Sequence, residues 1–132
     1  MQGIVQAGDD KPIAVDQLPN GAKEFINTYF GSVTVSYAKV DKDWFETSYE
    51  VIFTDGSKVE FNKKGEWKEV DCKHTSVPAG IIPEQIQSYV TKNHAGQTIV
   101  QIDRDRKDYE VKLTNNLEIK FDKKFNIISY DD

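Results

Sequence analysis

Cysteine is nearly absent from this chain. Cys72 stands alone, which excludes an intrachain disulfide and any zinc site built from several cysteines. Basic charge is in deficit: 17 Lys and Arg against 22 Asp and Glu give a net charge of −5, which disfavours nucleic acid or an anionic membrane surface as a partner. No apolar run reaches the length of a membrane span, so membrane insertion is not expected. Only two histidines occur, His74 and His94, and neither has a metal-ligand spacing. No G-x-S-x-G elbow, phosphate-binding glycine loop or dinucleotide fingerprint appears, so the sequence does not read as an enzyme. The start, MQGIVQAGDDKP, lacks a basic segment followed by an apolar one, as expected of a secreted chain whose signal peptide is removed.

What the chain does have is aromatic content, with seven Phe, six Tyr and two Trp in 132 residues, enough to exclude wholesale disorder. It also has internal similarity. YEVIFTDGSKVEFNKKGEWKEVD (49–71) and YEVKLTNNLEIKFDKKFNIISYD (109–131) share eight identities over 23 positions. Upstream, VDKD (40–43) answers IDRD (102–105), and Leu18-Pro19 answers Ile82-Pro83. A polar lead over 1–14 precedes one domain over 15–132, made of repeats over 15–73 and 77–132, with order beginning near Ile13.

Each repeat opens with a helix. Pro19 and Pro83 suit a first turn, where a missing N–H costs nothing. Ala22, Phe25, Ile26, Tyr29 and Phe30 then recur at helical spacing, as do Ile86, Tyr89 and Val90; these are core-facing stripes, with Phe25, Ile26 and Tyr89 expected to be buried. Gly31 and Gly96 are expected to end these helices in the left-handed conformation. Period-two alternation follows. It predicts Val51, Phe53, Val59 and Phe61 inside with Val111, Leu113, Ile119 and Phe121, while Glu50, Ile52, Lys58, Glu60, Glu110, Lys112, Glu118 and Lys120 face solvent. Asp55-Gly56 and Asn115-Asn116 predict two-residue hairpin turns, and CKHTSVPAGIIP (72–83) a linker. The fold class is α+β: two tandem helix-plus-four-strand repeats forming one antiparallel sheet, with both helices on one face.

With YEV opening a strand, Asp55-Gly56 at the turn, and FNKKG (61–65) answered by FDKKF (121–125), the chain resembles the PepSY-like family of small secreted proteins from Bacteroides-type bacteria. That family is similar in fold to beta-lactamase-inhibitor protein. The resemblance implies a periplasmic, non-enzymatic protein with an inhibitory or binding role; the leading expectation is a module that docks a protein or peptide partner and uses no cofactor. Gly65 becomes Phe125 and Asp55-Gly56 becomes Asn115-Asn116, so turn detail is expected to differ between the repeats.

The solvent-facing residues are the candidate partner surface, because alternating charge selects a partner. Trp44 and Phe45 are its candidate anchors, since the second repeat has Arg106-Lys107 in their place and shared core packing does not account for them. Asp41, Asp43, Asp103 and Asp105 are the alternative, a calcium-responsive site in the Asp-rich loops. Against it stand an incomplete ligand pattern and the adjacent Lys42, Arg104, Arg106 and Lys107. Glu110 and Glu118 could form a hydrolase carboxylate pair, but on an open face nothing is expected to raise their pKa.

Overall fold

A computed structural model describes residues 9–132 and gives an α+β chain of two α-helices and nine strands. The chain divides into two compact units, one ending at Trp67 and the other running from Lys68 to Asp132.

In the first unit, strands β1 (Asp9–Ile13), β2 (Val35–Lys42), β3 (Thr47–Phe53) and β4 (Lys58–Asn62) pair antiparallel in sequence order. Helix α1 (Asn20–Phe30) begins directly after Pro19. Its apolar stripe meets the alternating face of the strands: Phe30 stacks on Phe53 at 4.8 Å, and Phe25 meets Phe61 edge-on. Val51, Phe53, Val59 and Phe61 are fully buried, as the alternation predicts. Phe25 was expected in the core and is only half-buried, because it covers the core's rim from the helix.

The second unit contains β5 (Trp67–Asp71) from Lys68 onward, then helix α2 (Glu84–Asn93), β6 (Ile99–Arg104), β7 (Asp108–Leu113), β8 (Glu118–Asp122) and β9 (Ile127–Asp131). Its strands pair antiparallel from β5 to β9 in order. Val111, Leu113, Ile119 and Phe121 are buried, and Tyr89, like Phe25, is half-buried at the rim.

Four local expectations are corrected. Order begins before Ile13, since β1 falls inside the polar lead; its polar residues are held by backbone pairing with β2. Residues 1–8 of that lead lie outside the described residues. Gly31 has φ −62°, so it does not end α1 in the left-handed conformation; a Cβ there would come within 2.7 Å of the Asn27 carbonyl oxygen, and close approach is what requires glycine. Gly96 does take φ +86°. The β3–β4 and β7–β8 turns have three residues. Phe53 pairs with Ser57 and Leu113 with Leu117 through backbone hydrogen bonds of 2.9 Å, and only Gly56 and Asn116 have positive φ. Finally, the 72–83 segment is packed: Cys72, Val77, Ile81 and Ile82 are buried, and the Cys72 and Val77 amides bond to Val100 and Ile99.

Candidate functional site

Asp43 closes the turn between β2 and β3. Its Oδ1 accepts hydrogen bonds from the Phe45 and Glu46 amides, both at 2.9 Å, while its own amide donates to the Glu46 carbonyl. Asp105 does the same between β6 and β7, accepting from the Lys107 and Asp108 amides at 2.7 and 2.9 Å. These bonds favour the ionised Asp105 carboxyl and lower its pKa. The two turns are built alike, yet one carries Trp44-Phe45 and the other Arg106-Lys107. Turn geometry therefore does not demand aromatics. Trp44 is 95% exposed and Phe45 96% exposed, so the core does not demand them either.

The strands leading to that hairpin tip carry a chain of charges. Lys39 Nζ lies 3.0 Å from Asp10 and 3.1 Å from Glu50, and Lys58 Nζ lies 3.5 Å from the other Glu50 oxygen. The series crosses β1, β2, β3 and β4 in turn. The hydrogen bonds to Asp10 and Glu50 raise the Lys39 pKa. Such half-exposed pairs contribute about 1 kcal/mol or less each, so their main effect is to fix charge positions. Ile52 and Glu60, also half-buried, share this face with Glu50 and Lys58.

The second unit's open face is different, with acids outnumbering bases. Glu69, Asp103 and Glu110 stand opposite one another across β5, β6 and β7, and Asp71, Gln101, Lys112 and Glu118 form the adjoining row. Gln101 Nε2 donates to Glu69 at 3.3 Å and to Asp103 at 3.4 Å. Burial, reinforced by Glu69, pushes the Asp103 pKa up to about 6. Burial and a hydrogen bond to Glu118 raise Glu110 as well, with Lys120 opposing. The expectation that nothing raises the Glu110 pKa is therefore corrected; burial, and then the Glu118 side chain across the β7–β8 pair, supply the cause. Glu69 and Asp71 were missed from sequence, because only β5–β6 pairing brings them to this row; Gln101, two residues before Asp103 on β6, was within reach of the period-two alternation. The hollow lined by Gln101, Asp103, Glu110, Lys112 and Glu118 holds about 100 Å³, which is small against substrate pockets of roughly 300 Å³ and above.

Among the described residues, no group of three or more His, Cys, Asp or Glu side chains is arranged to hold a metal ion. The four aspartates of the calcium alternative separate by role: Asp43 and Asp105 cap turns, while Asp41 and Asp103 lie in strands opposite Ser48 and Glu110. His74 is exposed. His94 is half-buried, its ring 5.8 Å from Tyr89 and 5.9 Å from Tyr130, and its buried Nε2 has no hydrogen-bond partner among the described residues.

The family profile of PepSY-like, beta-lactamase-inhibitor-like proteins matches residues 47–129. The chain belongs to the PepSY-like family. Its similarity to solved structures extends further than that match. A Bacteroides thetaiotaomicron protein described as calcium-regulated and periplasmic is 57% identical, with TM-score 0.91, over 93% of this chain and 97% of that one. A periplasmic DUF2874-family protein from Bacteroides vulgatus is 52% identical, with TM-score 0.91, over 94% and 98%. A second periplasmic protein from that organism, of unknown function, is 43% identical with TM-score 0.89 over 94% and 100%. Curated proteins include no match to the chain. No helix among the described residues of this PepSY-like chain is long and apolar enough to cross a membrane.

Proposed function

We propose that this chain is a periplasmic, non-enzymatic binding module of inhibitor type, which holds a protein partner with Trp44 and Phe45 and selects it with the charged open face. The observation that carries this reading is the pair of matched turns: the same Asp-capped hairpin is built in the second unit with Arg106-Lys107, yet in the first it holds two large rings in water. Exposed aromatics cost solubility, and such rings supply most of the energy where interfaces form. Glu50, Ile52, Lys58 and Glu60 beside them set charge complementarity, and Glu110, Lys112, Glu118 and Lys120 are their counterparts in the second unit. This reading treats the two units as tandem copies of one helix-and-strand plan. Family membership supports the inhibitor type, and the periplasmic relatives support the compartment.

The test is capture from periplasmic extract with the wild type and with Trp44→Arg combined with Phe45→Lys. We expect a partner retained by the first and lost by the second, at equal melting temperature. Retention by both would refute the anchor.

A second reading has one observation in its favour: the relative described as calcium-regulated. Under it, Asp41 and Asp103 would supply ligands, together with the outer oxygens of Asp43 and Asp105. A calcium site raises the melting temperature by mass action, and magnesium does not reproduce the rise. Equal shifts with both ions would remove this reading.

A further inference from the structure

Among the described residues β1 and β9 each pair on one side only, and the two are finished differently. β1 reads DDKPI, where Pro12 offers no N–H and Asp9, Asp10 and Lys11 are charged. Proline and charge are the usual means of keeping an edge from pairing. β9 reads IISYD, with no proline and no base. Among the described residues it pairs only with β8. All five of its residues are exposed, including Ile127 at 37%, Ile128 at 53% and Tyr130 at 47%. A short apolar strand with one free backbone edge is a template for strand addition.

The charges around β9 identify what fits it. Lys123 and Lys124 form the turn before the strand, and Asp131 and Asp132 follow its apolar centre; all four are exposed. A strand with basic residues at its start and acidic ones at its end complements itself when a second copy runs antiparallel. We propose that β9 pairs antiparallel with β9 of a second copy of this chain, forming a two-fold dimer centred between Ile128 and Ser129. The register of β9 against β8 shifts between Ile127 and Ser129, where Ile127 pairs with Phe121 and Tyr130 with Ile119; this bulge brings Ile127 and Tyr130 onto one face, so in that register Ile127 of one copy stands opposite Tyr130 of the other. Asp131 stands opposite Asn126, which makes Lys124 its diagonal neighbour, within reach of a long side chain. The contact is isologous, so it closes on two copies and leaves no β9 edge for a third. It uses neither Trp44 nor Phe45, and the partner reading above does not depend on it.

Sedimentation equilibrium across the micromolar range tests this, with circular dichroism to check folding. The wild type is expected to rise from 15.1 kDa toward twice that mass. Ile128→Lys should keep it monomeric. Lys124→Asp and Asp131→Lys should each weaken association at least about tenfold, since each sets like charges on diagonal neighbours at both symmetry-related positions. The two together should restore it. Should Ile128→Lys disturb folding, the exposed charge variants decide. A wild type that stays at monomer mass throughout, or a dimer indifferent to the charge variants, would overturn the proposal.

Discussion

Phe25 meets Phe61 with ring centroids 5.5 Å apart and planes at 84°, an edge-to-face contact joining α1 to β4. Tyr89 meets Phe121 at 5.7 Å and 84°, joining α2 to β8. In each unit the strand ring is fully buried and the helix ring stands at the rim. Phe61→Ala and Phe121→Ala should therefore each cost about 3–5 kcal/mol, from lost burial and the cavity left behind. Chemical denaturation reads this directly, and losses under about 1 kcal/mol at both would contradict the burial.

The matched Asp43 and Asp105 turns predict an exchange without penalty. Trp44→Arg with Phe45→Lys gives the first turn the second turn's residues and should leave the melting temperature within about 2 °C. Asp43→Ala should behave oppositely, costing about 1 kcal/mol, because two turn amides lose their acceptor. A larger loss from the aromatic exchange than from Asp43→Ala would place the rings in the core.

Asp103 makes stability depend on pH. Its pKa of about 6 in the folded chain lies above the ordinary 3.8, so the folded state binds this proton more tightly than the unfolded one. The stabilisation from that proton is complete below pH 3.8 and is lost as pH rises through 6. At neutral pH the carboxylate carries its charge in a partly buried position and beside Glu69 and Glu110, which destabilises the fold. Asp103→Asn should therefore be more stable than wild type at pH 7 by about 1 kcal/mol, after allowance for solvent screening. The gain should shrink between pH 6 and pH 4. Melting curves across that range check it; a gain that persists unchanged at pH 4 would refute the titration as its cause.

Gly65 and Phe125 occupy matching turns, with φ +86° and +70°. A Cβ on Gly65 would lie 3.0 Å from both the Ala22 nitrogen and the Pro19 Cβ, at the start of α1. Gly65→Ala should thus cost about 2 kcal/mol or more, combining left-handed strain with a clash against backbone. Phe125 bears the same strain but stacks on Tyr109 at 5.7 Å, whose ring also lies 4.1 Å from the Lys123 ammonium. Phe125→Gly should be near neutral, since relief of strain offsets lost stacking of about 1 kcal/mol. Urea titration of the two variants separates the cases.

The sequence by itself determined the helices and the inward parity of the central strands. Those depend on local periodicity: Ile26 and Phe30 share a helix face, and Val59 and Phe61 share a strand face, whatever else the chain does. It also marked Trp44-Phe45, because the residues answering them are Arg106-Lys107. Tertiary structure decided what depends on neighbours distant in sequence. Asp9–Ile13 has no apolar alternation and is a strand only because β2 offers its backbone a partner. Gly31 is required by the nearness of Asn27, a relation no composition rule shows. Asp103 reads as one more solvated loop acid until β5 sets Glu69 opposite it; burial and like charge then move its pKa, and both are properties of the strand pairing.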